Sequence, residues 1–442
     1  MNRQDRERLE RRRRMLAREQ GLDPGEEPAG VRIPPREPPR TRYTAPAREQ
    51  TPEPASNLRP ISPVLRRRRR RKHILLALVI LVLAAAMATV SGLLSTSIAM
   101  LGDMTDSVVL YLNRAGGGWP ASTGIRIPTQ VEELAGGFVE MDAEDVAVYS
   151  AYGAKIRAFQ PGYARPALAV GNTRFVVYNR AGTELTVESR TRRLYSKSFS
   201  NPIMLCAMAQ NGTLAVVTES DRYAAEVQVF DPEFRGDPFV WKMTQQDGTP
   251  LTIAFAPDNR RFAAGTVAAS DGQLRTVVRF MDTAQDTAGP AYTADTGAVI
   301  LRLQWMSGSR VLAVFDTYVA VLNPSDGTEL ARYDCGGATL QSVSVGGGST
   351  ALLLLIRGGN TLVTLDEDLT PLATIPAGQA ESVVCTDTAV YLLTDVGVES
   401  YTFDGVHNWS QYLGMRPQAV LDAARTLVFT PGKVDVLTAP ES

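Results

Sequence analysis

Two hydrophobic patterns divide the chain. From Ile74 to Leu101, 28 residues run without a charge. From about Ile125 to Leu437, apolar and polar positions alternate with a period of two, in short runs broken by Gly, Asn, Asp and Pro. A period of two puts successive side chains on opposite faces of a strand. The first pattern predicts a membrane-spanning helix and the second an array of strands, with no long helical period in the second region.

At about 1.5 Å per residue the apolar run spans roughly 42 Å, against a bilayer core of about 30 Å. Buried core helices rarely run this far without a charge. A cleaved signal peptide competes, since Ala84, Ala86 and Ala88 give small-x-small patterns. Those alanines lie inside the apolar run, however, and the segment ahead is too long for an ordinary n-region. Orientation follows from the flanks. Arg66, Arg67, Arg68, Arg69, Arg70, Arg71 and Lys72 abut the run, and Asp103 and Asp106 follow it. Positive flanks stay in the cytoplasm, so the sequence predicts a single-pass cell-membrane protein with an extracytoplasmic C-terminal domain. The arginine run could also read as a nuclear-localisation or RNA-binding patch, but its position against the apolar run favours the topological role.

The strands recur in blocks. One recurring strand ends in a turn-forming polar residue: KIRAFQ (155–160), ELTVES (184–189), EVQVFD (226–231), TVVRFMD (276–282), YVAVLN (318–323), TLVTLD (361–366), VESYTFD (398–404) and VDVLTA (434–439). Between copies lies a turn followed by a very apolar strand, as in NGTLAVVTES (211–220) and GGSTALLLLI (347–356). From Ser189 through Asp231, Asp282, Asn323, Asp366 and Asp404 the steps are 42, 51, 41, 43 and 38 residues. A four-strand repeat near this length predicts an all-β fold, a β-propeller. Eight copies favour eight blades, with seven as the alternative. The very apolar strands, such as LAVVT and ALLLLI, are expected to be the inner ones. The last copy lacks an outer strand, which Ile125 to Gln130 (IRIPTQ) could supply to close the ring.

Composition adds an asymmetry. Residues 1–73 hold 21 Lys and Arg against 10 Asp and Glu, a net of +11, and the remainder carries −12. The expected plan is a disordered, basic, Pro-rich cytoplasmic tail (1–65), a polybasic flank and transmembrane helix (66–101), a juxtamembrane linker (102–123) and the propeller (124–439). Within the linker, residues 114–122 (RAGGGWPAS) read as a flexible tether. An acidic outer domain speaks against nucleic acid as its partner, because phosphate binding needs a basic footprint.

Catalytic patterns are missing. There is no G-x-S-x-G, H-E-x-x-H, P-loop or dinucleotide motif. Cys206, Cys335 and Cys385 read as buried free thiols, and two histidines, His73 and His407, leave no histidine-rich metal site. Asp231, Asp282, Asp366 and Asp404 could gather Ca²⁺, but turn formation is the simpler role. No catalytic, cofactor or metal residue is expected.

The motifs GYARP (162–166), NGTLAVVTES (211–220), APDNRRFAAGT (256–266) and GGGWP (116–120) resemble an uncharacterised family of clostridia-type Gram-positive bacteria. The resemblance implies a single-pass membrane protein with a propeller-like extracytoplasmic domain and no assigned activity. The APDNRRFAAG turn also resembles the turns of WD40-like repeats, with Asn259 where those have Gly. Asn tolerates positive φ. The functional expectation is a membrane-anchored scaffold or sensor module binding an envelope or membrane protein. The alternative is a carboxylate-based hydrolase or lyase acting on envelope glycans, which would need two close carboxylates in an aromatic-walled funnel. A third reading, outside binding relayed to the basic tail, would require dimerisation.

Overall fold

The computed structural model describes residue 106, residues 117–270 and residues 272–439. The tail, Arg66 to Lys72 and the apolar run Ile74 to Leu101 lie outside the described residues. Among the described residues no helix is long and apolar enough to cross a membrane.

Eight four-stranded antiparallel sheets follow one another along the chain. They are the blades of an eight-bladed propeller. Blades 1 to 7 span residues 130–159, 166–198, 203–243, 249–293, 300–334, 339–378 and 382–412. Blade 8 takes three strands from residues 419–436 and its fourth from Ala121–Ser122, so the ring is closed by joining the two ends of the domain. The first strands touch at the junctions of blades 8 and 1, 1 and 2, 2 and 3, 3 and 4, 4 and 5, and 6 and 7, which places first strands around the axis.

The hydrophobic core is divided in the same way. Eight buried clusters lie one between each pair of neighbouring blades. The period-two alternation assigns each side chain to one of two interfaces. In the strand Arg310–Phe315, Val311, Ala313 and Phe315 pack toward blade 4, while Leu312 and Val314 pack toward blade 6. A strand covered on both faces reads as a continuous apolar run. This narrows the expectation of apolar inner strands. LAVVT and ALLLLI are second strands, not innermost ones. A second strand has neighbours on both faces and both edges. The innermost strand keeps one edge on the channel, and its composition is mixed.

Side chains from the adjacent blade cap part of that inner edge. Gln130 accepts from the Leu168 N–H at 2.8 Å and donates to its carbonyl at 3.4 Å. Ser342 and Ser344 accept from the N–H groups of Val383 and Cys385 at 3.2 and 2.8 Å. Unpaired backbone groups on a strand edge are costly when enclosed, so these contacts hold blades 1 to 2 and 6 to 7 together at the axis.

The repeat also has a turn chemistry. In blades 1 to 7 a polar residue that ends or follows the third strand accepts backbone N–H groups of the turn beyond it. Asp231 bonds Glu233 and Arg235, Asp282 bonds Ala284, Asn323 bonds Ser325, and Asp366 bonds Asp368 and Thr370. Near Asp404 the cap is Thr402, bonded to Val406. In blade 1 the equivalent residue is Ser150, which bonds Tyr152 and Ala154. Blade 1's third strand is therefore Val146–Ser150, and KIRAFQ belongs to its fourth strand. The expected copy there was displaced because a half-exposed outer strand alternates as a third strand does.

Ring closure differs from expectation too. Ala121 and Ser122 pair with Val434 and Lys433, whereas Ile125 to Gln130 lead into blade 1. The end of the expected tether is fastened. Trp119 stacks on Phe138 at 6.1 Å between centroids and donates from Nε1 to the Ala151 carbonyl at 2.9 Å.

Candidate binding face and central channel

Antiparallel strands taken in order put all turns between second and third strands, and all crossovers between blades, on one side of the ring. We call this the crossover face. Turns between first and second strands, and between third and fourth, lie on the opposite face.

Exposed apolar side chains are unevenly shared between the two. Of fourteen large exposed hydrophobics among the described residues, nine lie at crossover-face positions. Leu251 and Leu301 stand near the start of the first strands of blades 4 and 5. Leu274, Leu355, Ile356 and Val396 belong to hairpins between second and third strands, and Ile127, Tyr412 and Met415 lie at or beside crossovers. Val396 and Tyr412 are local neighbours: the Val396 carbonyl accepts from Leu413, and Tyr412 pairs with Gly397. Tyr412 is 77% exposed. Of the remaining five, Tyr152 and Val406 lie in turns of the opposite face, and Val240, Leu330 and Leu372 stand at the starts of fourth strands beside it.

Two local devices shape this face. The first strands of blades 3, 4, 5 and 6 each carry an irregularity near their start, between Ile203 and Leu205, Pro250 and Thr252, Ile300 and Arg302, and Leu340 and Ser342. A bulge re-aims a side chain and breaks pairing locally. Here it turns Leu251, Leu301 and Gln341 outward, and all three are exposed. The other four blades have regular first strands. The second device is the long hairpin of blade 4. Its pairs Ala268 with Arg275, Ala269 with Leu274 and Ser270 with Gln273 extend past the first strand, whose pairing ends at Val267. At about 3.3 Å per residue the hairpin rises roughly 10 Å above its blade.

Within the channel, charge is sparse. On the eight first strands the charged residues are Glu132 and Glu133 in blade 1, Arg302 in blade 5 and Asp422 in blade 8. Glu132 and Arg302 act on each other, and enclosure by the ring opposes both charges. It raises the Glu132 carboxyl, with Arg302 pulling the other way, and lowers the Arg302 guanidinium, with Glu132 opposing. Arg302 is exposed by surface area yet surrounded by protein, as a channel-wall residue is. Toward the opposite mouth, burial raises Glu133, and Asp422 and Asp387 raise it further. Asp422 is raised by burial and by Asp387.

The sequence singled out none of these channel residues. Glu132 and Glu133 belong to no sequence motif, and only the ring places Arg302 opposite Glu132. The expected glycosidase funnel finds its carboxylates in the arc of Glu133, Asp387 and Asp422, but no aromatic residue occupies the adjoining first strands Gln130–Leu134, Ser382–Cys385 and Ala419–Asp422. Among the described residues no group of three or more His, Cys, Asp or Glu is arranged to hold a metal. Cys206, Cys335 and Cys385 are buried free thiols, and burial raises all three. Asn259 takes the positive φ expected of it, 61°, and its Oδ1 accepts from the Asn211 N–H at 3.1 Å.

Residues 122–438 match a family described as a family of unknown function, DUF5711. No curated protein matches the sequence. Among solved structures, the C-terminal WD40 domain of Sif2 aligns with TM-score 0.53 and 11% identity, covering 73% of this chain and 100% of that one. A structure titled as the eukaryotic initiation factor gives TM-score 0.50 and 11% identity, over 69% of this chain and 81% of that one. BamB from Moraxella catarrhalis gives 0.49 and 12%, over 72% and 99%. At such identities the first two speak for the propeller fold alone.

Proposed function

Since the chain belongs to DUF5711, a family of unknown function, we propose a role from its own surface: a non-catalytic binding module that docks a partner protein on its crossover face. The observation that carries this reading is the concentration of nine exposed hydrophobics on that face, around a channel mouth shaped by four bulges. Exposed apolar side chains gathered on one face favour docking, because covering them gains about 25 cal/mol per Å² removed from water.

The uncharged run Ile74 to Leu101 and the cations Arg66 to Lys72 support the finer reading. In it, the propeller is held outside the cell membrane, with the N-terminal tail in the cytoplasm. The partner is then an envelope or membrane protein.

Site-specific photocrosslinking in cells, on the full-length protein, tests the docking face. A photoreactive residue at Tyr412 or Ile356 should give a discrete adduct with another protein, and one at Val406 should not. Equal adducts from both faces, or none from either, would sink the proposal.

A further inference from the structure

We propose that the central channel binds a small zwitterion, an α-amino acid or a ligand with the same carboxylate–ammonium head, held between Arg302 and Glu132. The charged pair plays no part in the docking argument, although Leu251, Leu301 and the bulge between Ile300 and Arg302 border both.

Blades 1 and 5 are four apart in a ring of eight, so their first strands face each other across the axis. Glu132 lies on one and Arg302 on the other. Arg302 is the only cation on any of the eight first strands, all of which are described. It directly follows the bulge between Ile300 and Arg302. Neither side chain hydrogen-bonds or ion-pairs with another described residue, although most other arginines near carboxylates do. Arg157, Arg193, Arg260, Arg261, Arg310 and Arg332 all reach a carboxylate oxygen within 3.0 Å. Arg302 and Glu132 therefore act on each other without a direct bond, each left without its best partner.

A guanidinium offers a planar fork of donors that fits a carboxylate with two parallel bonds. A carboxylate accepts from an ammonium. Opposite charges in an enclosed channel cost free energy until a partner compensates them. A zwitterion compensates both. An anion alone would leave Glu132 uncompensated and be repelled by it, and a cation alone would do the same with Arg302. The channel also fixes direction. Glu133, Asp387 and Asp422 gather at the mouth away from the crossover face, so the ammonium points that way. The carboxylate points toward Arg302 and the crossover side, where Leu251 and Leu301 offer apolar surface to an aliphatic side chain.

The test is calorimetry on the purified full-length protein with glycine, L-alanine, L-leucine, N-acetyl-L-leucine and L-leucinamide. L-leucine should bind saturably, and each blocked analogue should bind at least tenfold more weakly. Arg302→Gln and Glu132→Gln should each weaken L-leucine binding tenfold or more, with thermal unfolding unchanged to within a few degrees as the control for folding. Arg302→Lys should keep part of the affinity, because it keeps the charge and loses the fork. Binding of N-acetyl-L-leucine as tight as that of L-leucine would make the site a simple anion site and overturn the proposal. Equal binding of L-leucinamide would make it a cation site and overturn it as well. No binding of any free amino acid, or binding that survives both glutamine substitutions, would also refute it.

Discussion

Glu140 should make the propeller less stable as pH rises, and removing its charge should abolish that loss. It lies on the second strand of blade 1, Gly137–Met141, and is 1% exposed. Its Oε1 has no hydrogen-bond partner. Around it stand Thr123, Lys155, Asp142 and Tyr149, where blade 1 meets the ring closure in blade 8. Burial raises its carboxyl from 4.5 to about 7, and Thr123 and Lys155 only partly oppose the shift. Between these two values the unfolded chain has lost the proton while the folded chain keeps it. The folded state then binds more protons, so stability falls with rising pH. The gap of about 2.5 units corresponds to roughly 3 kcal/mol, present in full below pH 4.5 and lost by about pH 7. Glu140→Gln keeps the shape without the charge. Leaving its amide short of partners costs about 1 kcal/mol, so the net gain at pH 8 should be roughly 2 kcal/mol. Urea unfolding of both full-length proteins at pH 5 and pH 8 gives the comparison. Other carboxylates titrate in both proteins and cancel. If the difference between variant and wild type is the same at both pH values, Glu140 is not buried as a neutral acid and the reasoning fails.

Two further predictions concern single contacts between blades. Glu188 is fully buried and binds Arg157 at 2.7 Å and Arg193 at 2.9 Å. Glu188→Gln should cost about 2–3 kcal/mol in urea unfolding, below the range for a fully dry pair because both arginines keep some solvent contact, and adding Arg157→Met should restore part of it. Asn259→Ala should cost about 2 kcal/mol, combining the penalty of positive φ with the lost bond to Asn211, whereas Asn259→Gly should lose only the bond and a little backbone entropy. Equal melting temperatures for the alanine and glycine variants would contradict the backbone argument.

The repeat was legible because its causes are local. Alternation with a period of two, a polar residue closing the third strand in seven of the eight blades and a very apolar second strand are properties of one blade. They predicted eight blades without any long-range contact. The turn residues Asp231, Asp282 and Asp366 were assigned to turns correctly because an Asx cap uses only its own next few residues. The step of 51 residues between Asp231 and Asp282 was visible as an outlier. Its cause, the extended hairpin with ten-residue strands in blade 4, was not.

What the tertiary structure alone decided depends on closing the ring. A short closing strand such as Ala121–Ser122 carries no recognisable pattern in two residues, so IRIPTQ looked the better candidate. Which strand is innermost follows from how blades converge, and period alone cannot say it. The facing of Glu132 and Arg302 joins residues 170 positions apart through the symmetry of eight blades. The gathering of nine exposed hydrophobics on one face likewise depends on the side of the ring to which each turn is carried. Local chemistry writes the blade into the sequence. Sites that lie between blades exist only once the blades stand in a circle.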